Sequence, residues 1–155
     1  MLVYRIEREK YLETVLDGLG AAKSSGFRWN SLNTRMVYTS ESRALATLEV
    51  VMHLDLAEDL PADRYFVEIE IEDDLPILEL KVEDLPEGWD SKPPGFITQF
   101  IGDDFVSQAN AAILKVPSSI VPEESNYLIN PVHPDKNKIR VLRSYPMRFD
   151  GRLKK

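Results

Sequence analysis

Between Met36 and Leu54 the spacing of apolar positions changes from strand-like to helical. Met36–Thr39 reads as a short strand, and from Ser40 onward apolar residues recur at intervals of three and four. At about 100° per residue, Leu45, Leu48 and Met52 share one side of an amphipathic helix, with Ser40 as its expected N-cap. Glu49 falls on that same side. A carboxylate on a core-facing stripe is costly unless it is paired, hydrogen-bonded or lining a cleft. The Leu45–Leu48–Met52 stripe is expected to face the core, and the preceding segment offers Glu49 possible partners, above all Arg28 and Tyr38.

The remaining pattern predicts strands with few helices. Leu2–Ile6 reads as a first strand, and Lys10–Leu19 as a helix stopped by Gly18 and Gly20. In RYFVEIEIE, Val67, Ile69 and Ile71 alternate with Glu68, Glu70 and Glu72, the period of a half-buried strand whose glutamates are wet. Further strands are expected at Ile77–Val82, Ile113–Val116, Tyr127–Ile129 and Ile139–Ser144. Between them, Glu83–Gly95 is a long proline-containing connection, and Gly102-Asp103-Asp104 is read as the cap of a small helix. With no repeat, no domain boundary and no regular βα alternation, the fold class is α+β, a single domain over residues 1–155 with a mixed, mainly antiparallel sheet.

Composition narrows the function classes. The 155 residues are 43% apolar, enough for one real core, and include no cysteine, which excludes disulfides, thiolate metal sites and a thiol nucleophile. No apolar run approaches the roughly 20 residues of a membrane span, and the amino terminus lacks the order of a signal peptide. A cytoplasmic protein with no membrane partner is expected. The net charge of −7 disfavours direct nucleic-acid binding. Residues 55–90 hold 14 acids against 2 bases, and residues 136–155 hold 8 bases against 1 acid. That asymmetry marks either two solvated faces or a partner surface.

Standard motifs are missing: the chain has no Walker loop, GxGxxG, GxSxG or HExxH. His53 and His133 lack ligand spacing, and no metal is expected. Each remaining candidate has a structural alternative. Glu49 suits a structural ion pair as well as a site, and Arg28, between Phe27 and Trp29, suits a surface cation–π contact. Tyr38 suits a core aromatic, while Ser118, Ser119, Asn126 and Asn130 suit turn ends. Taken together, an arginine, a tyrosine, a buried-side glutamate and a serine fit a site that holds an anionic dinucleotide and stabilises a cationic centre. The arginine would grip a pyrophosphate, and the carboxylate would face an oxocarbenium-like ribose.

The chain resembles the RES-domain toxins of bacterial toxin–antitoxin pairs, named for an arginine, a glutamate and a serine. The resemblance spans nearly the whole chain. It rests on Tyr4-Arg5-Ile6, Gly26-Phe27-Arg28-Trp29-Asn30, Val37-Tyr38-Thr39-Ser40, Ala44–Glu49, Ile101–Phe105, Val116-Pro117-Ser118, Asn126–Pro131 with His133-Pro134, and Phe149–Leu153. Phe27 stands where the family usually carries a second glycine, which should alter loop shape modestly. The resemblance implies an ADP-ribosyltransferase-like fold around an NAD cleft, with NAD as substrate cleaved at the nicotinamide–ribose bond. Water, phosphate or a protein side chain would be the acceptor. It also implies a cognate Xre-family antitoxin, with a homodimer or a higher complex left open. By motif, Glu49 becomes the catalytic glutamate, Arg28 the NAD anchor, Tyr38 an aromatic beside NAD and Ser118 the family serine, with Asn126 and Arg5 as further NAD-binding candidates. The competing readings are a protein ADP-ribosyltransferase and a non-catalytic interaction module.

Overall fold

A computed structural model describes residues 1–155. The first strand, β1 (Leu2–Arg8), pairs along its whole length with β3 (Arg64–Ile71), antiparallel, from Leu2 against Glu70 to Arg8 against Arg64. Its other edge meets β2 (Val37–Ser40) at one register position only, Tyr4 against Ser40. From β2 the sheet continues through β6 (Ser125–Ile129), β5 (Ile113–Pro117) and β4 (Ile77–Glu79), while β7 (Ile139–Pro146) adds to the far side of β3. The order is β4-β5-β6-β2-β1-β3-β7, and β4–β5 is its parallel pair. This is the α+β, mainly antiparallel class that the strand pattern implied. The thin β1–β2 junction divides the sheet into two wings, and a cleft opens there.

Side chains alternate between sheet faces, and both faces of the central strands are covered. Val37, Ile113, Tyr127 and Ile129 join Val3, Val67 and Ile69 in one core cluster, whereas Leu114, Val116 and Leu128 join Trp29, Met36, Trp89 and Phe105 in another. That double burial explains why β5 reads as an almost unbroken apolar run.

Three short helices complete the chain: α1 (Leu19–Lys23), α2 (Arg43–Val51) and α3 (Phe96–Gln108). The helix expected over Lys10–Leu19 is instead a 3₁₀ segment, Glu9–Thr14, with α1 beginning later. Gly18 forces the break: it sits at φ +70, and a Cβ there would lie 2.8 Å from the Met36 amide. Gly102-Asp103-Asp104 is no cap but the middle of α3. A Cβ at Gly102 would lie 1.6 Å from the Trp29 carbonyl oxygen, so glycine lets the helix press on the Trp29 segment. The strand expected over Ile77–Val82 stops at Glu79 and passes into a 3₁₀ turn, Val82–Asp84.

The central helix departs from its expected packing in two ways. Ser42 is the cap, its hydroxyl accepting from the Leu45 amide at 3.1 Å, because Ser40 still belongs to β2. Ala46, with Val50, Val51 and Leu54, provides the packing side against Ile6, Met147 and Phe149, while Met52 is 56% exposed. Leu45 of the expected stripe is buried at 2% exposure and Leu48 half-buried, so the core face keeps that end of the stripe but extends to Ala46 and Val50 and leaves Met52 out, with Glu49 at its edge. Glu49 never enters the core.

Glu68, expected on a wet face, is buried between Arg43 of α2 (3.2 Å) and Arg143 of β7 (2.7 Å). Burial pushes its carboxyl up, but the hydrogen bonds from Arg43 and Arg143 outweigh burial and hold its pKa below the ordinary value of 4.5. Arg140–Glu70, Lys138–Asp74 and Lys154–Asp59 extend the same cross-chain pairing. Part of the asymmetry between residues 55–90 and 136–155 is therefore an internal match between neighbouring strands and loops.

Candidate functional site

Where β1 and β2 diverge, a cleft of about 520 Å³ opens, within the range of small-molecule sites. Tyr4, Arg5 and Ile6 form one wall, and Tyr38, Thr39 and Ser40 another. Ala46, Glu49, Val50, Met52 and His53 contribute from α2, and Ser119, Ile120 and Asn126 from the β5–β6 wing. Gly26–Trp29 together with Lys92 and Pro94 frames the rest.

Glu49 is held from one side. Its Oε1 accepts from Ser118 Oγ at 2.8 Å and from Asn126 Nδ2 at 2.7 Å, whereas Oε2 makes no hydrogen bond within the chain. Asn126 is oriented in turn, its Oδ1 accepting from Ser40 Oγ at 2.7 Å. This relay exists because β2 and β6 pair with Ser40 opposite Asn126, so register places the two side chains together. Ser118 is fully buried, and besides donating to Glu49 its Oγ accepts from the Ile120 and Val121 amides, both at 3.1 Å. Ser118 thus lies behind Glu49 rather than on the cleft surface. Two charge-assisted bonds fix one carboxylate oxygen and leave the other open.

Arg28 makes neither a cation–π contact nor an ion pair with Glu49. Its Nη1 donates to the carbonyls of Trp89 (2.7 Å) and Ser91 (3.1 Å), tying the Gly26–Asn30 segment to the long connection before α3. Burial lowers the guanidinium pKa from its ordinary value, opposed by the fields of Asp90, Glu49 and Tyr38. Both partners of Nη1 are neutral, so no ion pair engages the guanidinium, and the Asp90 and Glu49 carboxylates act on it only through their fields.

Tyr38 is locked. Its hydroxyl donates to Asn30 Oδ1 at 2.6 Å and accepts from the Trp29 amide at 3.1 Å, and its ring stacks on Phe27 at 5.2 Å between centroids. Burial raises its pKa well above the ordinary tyrosine value. A hydroxyl so engaged serves as a strut, leaving the paired rings as a flat apolar wall. Arg5 donates through Nη1 to the Tyr38 carbonyl at 2.9 Å and pairs with Glu7 through Nη2 at 3.1 Å, so its charge is already matched.

Of the six candidate residues, Arg5, Arg28, Tyr38, Glu49 and Asn126 line the cleft, and Ser118 buttresses it from behind. Sequence reasoning placed Ser40 at the helix cap rather than in the site, and it did not give Asn30 its strut role. Pairing the β2 and β6 patterns in register would have exposed the place of Ser40. His53 faces the cleft, while His133 is buried, its Nδ1 accepting from the Asp135 amide and its Nε2 at 3.0 Å from the Ala109 carbonyl. That arrangement puts the proton on Nε2. No group of three or more His, Cys, Asp or Glu side chains is placed to hold a metal ion, and no helix is long and apolar enough to cross a membrane.

Comparison with known proteins agrees with the motifs. Residues 2–150 match the family model described as the RES domain. A protein of Sphingobium sp. (strain YBL2) named Prs ADP-ribosylating toxin is 44% identical over 140 residues, covering 89% of this chain and 86% of its own. Toxin Res of Photorhabdus laumondii subsp. laumondii is 35% identical over 157 residues, covering 100% and 98%. Among solved structures, a chain of the M. tuberculosis MbcT–MbcA toxin–antitoxin complex superposes with a TM-score of 0.74 at 18% identity. That match covers 94% of this chain and 83% of the other, and it shows a shared fold.

Proposed function

The chain belongs to the RES-domain family of toxins, and on that premise we propose that it consumes NAD by breaking the nicotinamide–ribose bond. The observation that carries this reading is Glu49: one oxygen pinned by Ser118 and Asn126, the other free in a cleft where Arg28 enters no ion pair. A carboxylate aimed at a developing ribosyl cation stabilises charge that appears only in the transition state. Nicotinamide departs with the bonding electron pair. The acceptor then attacks the ribosyl carbon and gives up its proton, so water yields ADP-ribose and phosphate yields its 1-phosphate ester. In this scheme Arg28 holds a phosphate group, the Phe27–Tyr38 pair flanks a flat ring, and Ser118, Asn126 and Ser40 position Glu49.

The protein would act in the cytoplasm, where NAD is available, and be held in check by an antitoxin, for which an Xre-family partner is our expectation. A second reading, transfer of ADP-ribose to a protein side chain, is favoured by one observation: the 44% identical relative is named an ADP-ribosylating toxin. Purified protein incubated with adenine-labelled NAD, with and without phosphate, separates the outcomes. Label on free ADP-ribose or its phosphate ester supports NAD degradation, and label retained on a protein in cell extract supports transfer. Glu49→Gln should reduce nicotinamide release by about 10²–10³-fold. Full release by that variant would remove Glu49 from the chemistry.

A further inference from the structure

The cleft is more basic than the chain that builds it. Net charge is −7, yet Arg5, Arg28 and Lys92 all line the cavity. Arg5 is spent on Glu7 and on the Tyr38 carbonyl. Arg28 donates only to neutral carbonyls, and Lys92 enters no ion pair or hydrogen bond. Two cations without an ion-pair partner therefore border one cavity, and a diphosphate linkage presents two anionic groups. Resting on the NAD reading above, we propose that Lys92 is the second pyrophosphate-binding cation, delivered to the cleft by a segment that Arg28 itself holds in place.

The segment is anchored rather than draped. Gly88, at φ +85, turns the chain so that Trp89 plugs into the core at 7% exposure. Arg28 Nη1 then takes the carbonyls on either side of Asp90, and Ser91 Oγ donates to the Pro93 carbonyl at 3.1 Å, bracketing Lys92. Because Nη1 alone makes those bonds, Nε and Nη2 of Arg28 remain for a ligand. One guanidinium thus both shapes the loop carrying Lys92 and can grip the neighbouring phosphoryl group. Diphosphate binding accordingly depends on Arg28 twice and on Lys92 once.

The test is calorimetric titration of the full chain with ADP-ribose, ADP and adenosine, at low and high salt. Lys92→Ala should weaken ADP-ribose and ADP by about 2–5-fold, the worth of one solvent-exposed charge contact, and leave adenosine unchanged. It should also flatten the loss of affinity with salt, and Lys92→Arg should restore affinity. In NAD turnover the change belongs in KM, with kcat moving far less. Equal ADP-ribose affinity and salt dependence in wild type and Lys92→Ala would overturn the assignment. Equal weakening of adenosine would do the same, since it would indicate a collapsed loop. Wild-type protein that binds no ADP-ribose and releases no nicotinamide removes the NAD reading and this inference together. Wild-type protein that does both, with Lys92→Ala unchanged, removes this inference alone.

Discussion

Ser118→Ala separates a serine that grips substrate from one that bolts the Glu49 carboxylate. The hydroxyl is fully buried and has three partners, Glu49 Oε1 at 2.8 Å and two amides at 3.1 Å. Losing the bond to a charged acceptor costs about 1.5–3 kcal/mol, and an amide stripped of its acceptor costs up to about 1–3 kcal/mol if it stays dry. Ile120 and Val121 are only half-buried, so water recovers part of the second cost. A net loss of about 2–4 kcal/mol is expected, large beside a typical total of about 5–15 kcal/mol. Glu49 keeps its bond from Asn126 and swings about it, and a displacement near 1 Å at a reacting group costs about 10²-fold in rate. Urea unfolding should show the stability loss. Nicotinamide release should show kcat down by about 10–100-fold with KM within about threefold, because Ser118 does not reach the cleft surface. An effect carried by KM, or a variant of normal stability and normal kcat, would refute the bolt.

Two further predictions concern the frame around the site. Gly102→Ala puts a methyl 1.6 Å from the Trp29 carbonyl oxygen and 2.6 Å from its carbon. Helix α3 must then retreat from the segment bearing Arg28 and Asn30, at a cost of about 3 kcal/mol and a melting temperature lower by about 6–12 °C; a melt within a degree or two of wild type would show that the contact is not tight. Glu68→Gln tests the buried ion cluster through pH. Because the folded pKa of Glu68 lies below 4.5, its contribution to stability is present above that value and is lost as pH falls through the folded pKa. Wild type should therefore exceed Glu68→Gln in urea midpoint at neutral pH, and the gap should close under acid; a gap independent of pH would contradict the assignment.

What the sequence disclosed follows from which forces are local. The strands, written in period-two alternation or short apolar runs, were legible, and so was the helix carrying Glu49. Its full packing side was legible only in part: Leu45 of the expected stripe is buried, but Ala46 is too small to dominate a hydrophobic pattern. Glu68 looked solvated because alternation records only its own strand, while Arg43 and Arg143 arrive from residues far along the chain. Arg28, Tyr38 and Glu49 could be named from residue type and motif. Their partners could not: the Trp89 and Ser91 carbonyls are backbone atoms whose positions depend on a folded loop, and Ser40 matters only through the β2–β6 register.

The restraint of Glu49 from two distant segments also has a consequence in time. Its partners lie 69 and 77 residues further along the chain. At translation rates of about 5–20 residues per second, roughly 4–15 s separate synthesis of the carboxylate from synthesis of the last group that aims it. Until then α2 has neither bolt nor opposite wall, so the growing polypeptide carries Glu49 without a site. A partner able to recognise the unfinished chain would have those seconds in which to act before Glu49 is aimed.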